Sequence, residues 1–254
     1  MDQEVKVWNK VAKDYFGEII SPFSEGVQNP IFWYLEKKLG VNPSQMSVID
    51  IGCGIGNFLL PLSEKFSQVV GLDFSPKMIE AAKEKVKEKS NVTLYVRDAR
   101  DLKEFNGQFD VAVAVNSVLL PKIADDEKIM KEIHGVLKEG GFLLGVFPSM
   151  ESHLFKALLV QEKALEEGKS EEEAIKLSQE EAKDCDLVTA LVRYPDSTQK
   201  NYYLFELKHR LKRAGFSKIK IRKVYYPWEI YEDDTLLSFK KKGKMWDWFV
   251  FAVK

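Results

Sequence analysis

One repeated pattern constrains the fold of this chain more than any other feature. Between residues 47 and 148, short apolar runs rich in β-branched residues alternate with charged stretches in which apolar residues recur at helical spacing. Such alternation predicts βαβ units and a parallel sheet with helices on both faces. The five predicted strands are residues 47–51, 68–72, 92–96, 109–115 and 142–147, and residues 76–89 and 126–137 are predicted helices.

Three flanking segments complete the predicted α/β fold. Residues 1–46 contain helical stretches and are expected to form an N-terminal helical cap on a cofactor-binding core, residues 47–148. Residues 149–200 carry two amphipathic stretches, 154–165 and 172–185, with no strand between them, which predicts a helical insertion that serves as a lid. Residues 201–254 are expected to supply a helix and a β-hairpin. The expected whole is a doubly wound, mostly parallel, seven-stranded sheet with a C-terminal antiparallel hairpin and a helical cap.

Composition excludes several classes of protein. The formal net charge of −1 gives no overall field that would attract nucleic acid, so a nucleic-acid partner is not expected. The two cysteines, Cys53 and Cys185, are too few for a disulfide framework, and Asp, Glu and His form no cluster at metal-ligand spacing. No apolar run approaches the roughly 20 residues that cross a bilayer, and the first ten residues lack the apolar stretch of a signal peptide. We therefore expect a cytoplasmic protein without a bound metal or a membrane partner. The sequence makes no prediction of oligomeric state.

A glycine-rich loop follows the first predicted strand. The segment from Val48 to Phe58 runs from an apolar strand through Asp50 and then Gly52, Gly54 and Gly56 into a helix. Glycines at alternate positions allow a tight turn and a close approach to a ligand. A dinucleotide-binding loop would have its third glycine at residue 57, where this chain has Asn, so NAD and FAD are disfavoured. A tight turn without a ligand is the alternative interpretation.

Polar residues follow the next strands. Asp73 ends the second strand, 21 residues after Gly52, where a carboxylate can accept hydrogen bonds from the two hydroxyls of a ribose. An ordinary helix cap before Pro76 is the alternative. Phe74 and Met78 could offer apolar surface to an adenine or could belong to the core. Asp98, after the third strand, could accept a hydrogen bond from the adenine amine or be a solvated loop charge.

The fourth strand ends in two small polar residues, Asn116 and Ser117. Ligands of open α/β sheets bind at the edge formed by the carboxyl ends of the strands, so both are expected to point into that crevice.

Taken together, these segments resemble the ordered motifs of class I methyltransferases, and the turn 138–141 before the fifth strand adds to the likeness. The resemblance spans residues 47–148 and implies that S-adenosyl-L-methionine is the cofactor. It implies that the three glycines border the methionine part, that Asp73 binds the ribose, that Asp98 and Ala99 flank the adenine and that Asn116 lies by the sulfonium. Trp8, Ala12 and Tyr15 resemble a leading pattern of small-molecule members, in which the tyrosine closes over the cofactor. The expected cofactor-binding residues are Tyr15, Asp50, Gly52, Gly54, Gly56, Asp73, Phe74, Met78, Asp98, Ala99 and Asn116.

The expected reaction is an in-line methyl transfer to a small-molecule acceptor. The methyl group of a sulfonium is already activated, so the protein has chiefly to align the acceptor and exclude water. The sequence assigns no catalytic residue firmly; the candidates are His153, as a base that follows the fifth strand, and Tyr15. Two alternatives stay open: methylation of RNA or protein, and a regulatory protein that binds the cofactor without turnover.

Overall fold

A seven-stranded sheet forms the centre of the protein. The computed structural model describes residues 2–12, 26–27, 30–37, 42–228, 239 and 243–254. Ten strands occur in these residues: β1 Ser47–Ile51, β2 Gln68–Asp73, β3 Val92–Val96, β4 Phe109–Val115, β5 Leu137–Pro148, β6 Cys185–Asp186, β7 Leu191–Arg193, β8 Thr198–Lys200, β9 Ser217–Tyr226 and β10 Met245–Val253. The large sheet has the order β3-β2-β1-β4-β5-β10-β9. Strands β1 to β5 are parallel and β10 is antiparallel to both of its neighbours, as the sequence predicts.

The strand order reverses at β1. This strand pairs with β2 on one side, through Val48 and Val69, and with β4 on the other, through Val48 and Val111. The connections after β1 and β4 therefore leave the sheet in opposite directions and open a crevice at its carboxyl edge. All five residues of β1 are buried because helices cover both faces of the sheet at this point.

Eight α-helices are found in the described residues. They are α1 Asp2–Val11, α2 Pro30–Lys37, α3 Leu59–Ser63, α4 Pro76–Val86, α5 Ile123–Val136, α6 Met150–Glu166, α7 Glu171–Glu181 and α8 Leu204–Arg213; Pro43–Gln45 and Lys103–Phe105 are 3₁₀ turns. One core cluster joins a sheet face to α5 and α8, and a second joins the opposite face to α2, α3 and α4. Within the described ranges, no helix is long and apolar enough to cross a bilayer.

The insertion differs from its prediction. Residues 149–200 do contain two helices, α6 and α7, each preceded by a serine N-cap, Ser149 and Ser170. They also contain a separate antiparallel sheet, β6-β7-β8, so the expectation of a purely helical insertion is wrong. Strands of two or three residues are too short to show an alternating pattern, which is why periodicity missed them. The second helix also ends at Glu181 and not at Cys185, with Ala182 as its C-cap.

A buried lysine joins the small sheet to the core. Lys200 is fully buried, and its Nζ donates to the carbonyl oxygens of Thr189 at 2.9 Å and Asn201 at 2.6 Å and to Glu206 Oε2 at 2.8 Å. Its backbone N–H donates to the carbonyl of Leu119 in the loop after β4, at 2.9 Å. The base of the insertion is thereby fixed to α8 and to the edge of the crevice.

Candidate functional site

The loop after β1 contacts the loop after β4. Gly52, Gly54 and Gly56 all have positive φ angles, of 72°, 53° and 82°. The backbone N–H groups of Gly52 and Cys53 both donate to the carbonyl of Leu72, at 2.8 and 2.9 Å, which holds the turn against β2. A Cβ added to Gly52 would overlap the Cβ of Ser117. A glycine is therefore required at position 52 both by the backbone conformation and by the approach of the β4 loop.

Asp73 links the glycine loop to the start of α4. Its Oδ2 accepts from the backbone N–H of Gly54 at 3.1 Å, and its Oδ1 accepts from that of Ser75 at 2.8 Å. Ser75 itself is the N-cap of α4, since its Oγ accepts from the N–H of Met78 at 3.2 Å. Burial raises the pKa of Asp73 to about 6, against the lowering effect of the two backbone hydrogen bonds. Each oxygen retains accepting capacity for a ligand at this edge.

A second buried carboxylate lies beside the first. Asp50 is 2% exposed, and its Oδ2 has no hydrogen-bond partner among the described residues. Burial, together with the negative charge of Asp73, raises the pKa of Asp50 to about 8. Two buried acids in one place favour a ligand that brings hydrogen-bond donors and positive charge.

The end of β4 also carries unsatisfied groups. Asn116 has a left-handed backbone, with φ of 46°, and its Nδ2 donates to Asp247 Oδ2 at 3.3 Å. Within the described ranges, Asn116 Oδ1 and Ser117 Oγ are buried without a partner. Buried polar atoms are nearly always paired in native proteins, so this edge has the character of a binding site.

The other residues that were predicted to contact a ligand are paired with another side chain, buried or only partly exposed. Asp98 is held by Arg100, whose Nη2 lies 2.6 Å from Asp98 Oδ2 and whose Nη1 also reaches Asp125 at 3.0 Å. Met78 is 1% exposed, whereas Phe74 and Ala99 are partly exposed. Ligand contact by Phe74, Met78, Asp98 and Ala99 stays a prediction. Tyr15 lies outside the described residues.

His153 lies on α6, within the insertion. Burial lowers its pKa, as does the charge of Lys156, and its side chain interacts with that of Asn201. The imidazole is therefore neutral at pH 7, the state in which it can accept a proton. It could act as a base only on an acceptor that binds next to α6. Its catalytic role stays a prediction.

One part of the site was missed by sequence reasoning. Asp247, on β10, lies opposite Pro148 of β5, and its Oδ2 accepts from the Tyr226 hydroxyl at 2.8 Å. Burial raises the pKa of Asp247 to about 6, although hydrogen bonds from Tyr226 and Asn116 lower it. A signal was present, because Asp247 is the one charged residue in the apolar strand Met245–Val253.

Two flanking segments meet at the mouth of the crevice. Asn9 on α1 accepts from Ser75 Oγ at 2.7 Å and from the N–H of Lys77 at 3.3 Å, so α1 lies against the start of α4. The next residue, Lys10, places its Nζ 3.1 Å from Asp196 Oδ2 in the turn between β7 and β8. Helix α1 therefore contacts both the start of α4 and the insertion.

Comparison with known proteins places this geometry in a family. A family model described as a methyltransferase domain matches residues 48–141. A demethylmenaquinone methyltransferase of Staphylococcus haemolyticus is 30% identical over 188 residues, which cover 68% of this chain and 70% of that protein. The matches to two further curated relatives span 42% and 54% of their lengths, or about half.

Solved structures agree on the fold. An S-adenosylmethionine-dependent methyltransferase from Methanosarcina mazei superimposes with a TM-score of 0.58 at 20% identity, covering 89% of this chain and 97% of the other. The [4+2]-cyclase SpnF superimposes with a TM-score of 0.65 at 16% identity, covering 99% and 95%. At these identities the likeness shows the fold alone.

The contact between Gly52 and Ser117 generates a prediction about stability. Gly52→Ala should lower the free energy of unfolding by the roughly 1–2 kcal/mol of a left-handed alanine plus about 1–3 kcal/mol for overpacking against Ser117. Gly107→Ala is the matched control, because Gly107 has a similar φ of 67° but its added Cβ meets no atom within 4 Å. Urea denaturation of both variants measures the difference. Equal losses would show that the two loops do not constrain each other.

Proposed function

The chain belongs to the class I S-adenosylmethionine-dependent methyltransferases, and from this premise we propose that it transfers the methyl group of that cofactor to a small organic acceptor. The observation that carries the proposal is the set of buried polar groups at the carboxyl ends of β1, β2 and β4, of which Asp50 Oδ2, Asn116 Oδ1 and Ser117 Oγ have no hydrogen-bond partner among the described residues. They gather at the point where the strand order reverses, which is where open α/β sheets bind ligands.

The residues at this edge suit the cofactor chemically. Asp73 would accept hydrogen bonds from the ribose hydroxyls, and the glycine loop would admit the methionine part without Cβ obstruction. Asp50, whose Oδ2 lacks a partner among the described residues, would gain from the positive charge of the ligand. The bound cofactor supplies a methyl group on a sulfonium, which is already activated for displacement.

The chain itself would contribute alignment and exclusion of water. An acceptor has to lie in line behind the methyl carbon, and holding it there converts a bimolecular reaction into an effectively unimolecular one. Asn116, at the end of β4, is proposed to lie by the sulfonium and to fix one side of this arrangement. The neighbouring apolar walls, with Val115 and Val118, would keep the site dry.

A small acceptor is favoured by the segments around the crevice. We propose that residues 149–200, with the part of residues 1–46 that the structure describes, form a mobile lid over the 47–148 core, which residues 201–254 complete. The ion pair between Lys10 and Asp196 supports this proposal because it joins α1 of the first segment to the turn between β7 and β8 of the second. A lid of this kind would sequester a small substrate and obstruct a long polymer. The relative from Staphylococcus haemolyticus is named for a quinone substrate, which is also a small molecule.

Turnover separates this proposal from a protein that only binds the cofactor. The chain is incubated with S-adenosylmethionine carrying a labelled methyl group and with an extract of small metabolites, and formation of S-adenosylhomocysteine is measured. Label in a low-molecular-mass product supports the proposal. Label that appears only in added RNA or protein, or no turnover despite tight binding, would contradict it.

Cofactor affinity should depend on Asp73. We expect S-adenosylmethionine to bind without added metal, and Asp73→Ala to weaken binding by about 1–3 kcal/mol because the ribose loses a buried acceptor. Isothermal titration calorimetry measures both affinities, and Asp101→Ala, an exposed acid of the β3 loop, is the control. Undetectable binding, or tighter binding of NAD, would remove the proposed function. An unchanged affinity in Asp73→Ala would mean that Asp73 only holds the glycine loop in place and does not bind the ribose.

Binding should also release protons. At pH 7 the free protein holds a proton on Asp50, whose pKa is about 8. A cationic ligand stabilises the carboxylate and lowers this pKa, so a proton passes to the buffer. Calorimetry at pH 7 in two buffers of different ionisation enthalpy measures the release, which should disappear in Asp50→Asn and persist in Asp101→Asn. Release that persists in Asp50→Asn would assign it to another group.

The lid can be tested where its two parts meet. In a Cys185→Ser background, Lys10→Cys and Asp196→Cys are joined by a bifunctional thiol reagent, while buried Cys53 is protected. Closing the lid should slow dissociation of S-adenosylhomocysteine several-fold in stopped-flow measurements, since exit requires opening. The same variant treated with a monofunctional reagent is the control. An unchanged dissociation rate in the cross-linked protein would make the insertion a rigid appendage.

A further inference from the structure

A polar cluster lies next to the proposed cofactor edge, and its central carboxylate, Asp247, has no part in the proposed cofactor binding. Asp247 on β10 accepts hydrogen bonds from Tyr226 on β9, at 2.8 Å, and from Asn116 after β4, at 3.3 Å. The backbone of Ser149, where the insertion leaves β5, also hydrogen bonds to this carboxyl group. Three separate parts of the fold thus converge on one carboxylate of β10, at the carboxyl end of β5.

We infer that Asp247 is the catalytic residue that takes a proton from the acceptor, and that the acceptor is an aromatic or enolic molecule bearing a hydroxyl group. This inference rests on the proposed function. Asp247 touches Asn116, which is the residue proposed to lie by the sulfonium, so an acceptor aligned there has its reacting group within reach of the carboxylate.

The aromatic side chains beside Asp247 favour a flat acceptor. Tyr226 provides one aromatic side chain, and Tyr194, at the end of β7 in the insertion, provides another. Tyr194 interacts with Asp247 through its charge: burial, followed by the charge of Asp247, raises the pKa of Tyr194 to about 12. Tyr194 is therefore neutral at pH 7, and its ring and hydroxyl, on a side chain that is 41% exposed, are open to contact with an aromatic molecule.

The protonation state of Asp247 suits the role. With a pKa of about 6, the group is ionised at neutral pH and still basic enough to accept a proton from a hydroxyl that sits beside it. Within the described residues, the titratable groups that face it are Tyr226 from β9 and Tyr194 from the insertion. Tyr194 carries no charge near pH 7, so its titration does not mask that of Asp247.

The proton transfer is simple to balance. The O–H bond of the acceptor breaks, the proton passes to a carboxylate oxygen of Asp247, and the electron pair stays on the acceptor, which becomes a better nucleophile. The Tyr226 hydroxyl donates to Asp247 Oδ2 throughout and positions the carboxylate. Tyr226 is thus a positioning residue.

The other candidate base fits less well. His153 interacts with Asn201, and Asn201 in turn interacts with Tyr194, so His153 lies one residue further from Asp247. Asn116, which marks the cofactor side, donates to Asp247 and not to His153.

Binding of a hydroxyl probe across a range of pH tests the inference without requiring turnover. The probe is 1-naphthol, titrated by calorimetry into the protein saturated with S-adenosylhomocysteine. If the Asp247 carboxylate accepts the hydroxyl proton, affinity should fall about tenfold per pH unit below a pKa near 6. Asp247→Asn should lose this acid limb. Tyr226→Phe should move the limb to higher pH, because the lost hydrogen bond had lowered the pKa of Asp247.

His153→Gln is the matched variant and should keep the acid limb unchanged. An acid limb that disappears in His153→Gln, or that persists in Asp247→Asn, would overturn the inference, and so would the absence of 1-naphthol binding to the wild-type protein. Affinity for S-adenosylhomocysteine, measured on every variant, confirms that the fold is retained. If wild-type protein failed to bind S-adenosylhomocysteine, the proposed function would fail first, so the two failures are distinguishable.

Discussion

The close approach of two loops, at Gly52 and Ser117, is the constraint on which the rest of the site depends. Reversal of strand order at β1 opens a crevice, and the loops on its two sides touch at Gly52 and Ser117. The contact brings Asp50 and Asp73 to one side and Asn116 to the other. Because a side chain at position 52 would separate the loops, the backbone conformation, the packing and the chemistry of the site all require the same glycine.

Carboxylates that are buried, Asp50 and Asp73, or half-buried, Asp247, give this edge its chemical character. Asp50, Asp73 and Asp247 all have raised pKa values, and burial is the largest cause for each. The contribution of each carboxyl group to the free energy of unfolding is therefore most favourable at low pH. It becomes less favourable as pH rises through the folded-state pKa of the group. Natural proteins tolerate such a loss of stability mainly at sites where ligand binding or catalysis requires the buried group. Asp50 and Asp73 face the region proposed for the cofactor, and Asp247 faces the region proposed for the acceptor, so one edge combines two functions.

The sequence predicted those features that depend on local pattern. Strands β3 and β4 begin and end where alternation of apolar runs placed them, and the glycine loop and Asp73 follow from short-range spacing. The small sheet β6-β7-β8 was not predicted, because strands of two or three residues have no measurable period. The role of Asp247 was not predicted for a different reason. Its partner Asn116 is 131 residues away in the sequence, and the two meet only because β10 pairs antiparallel with β5. Long-range contacts of this kind are invisible to spacing.

A crystal structure with S-adenosylhomocysteine tests the central claim most directly. The account predicts that the ribose hydroxyls lie within hydrogen-bonding distance of Asp73, that the amino acid part borders Gly52 and Gly54, and that the sulfur points toward Asn116 and the space before Asp247. A ligand bound at another edge of the sheet, or one at this edge whose sulfur points away from Asn116, would contradict the account.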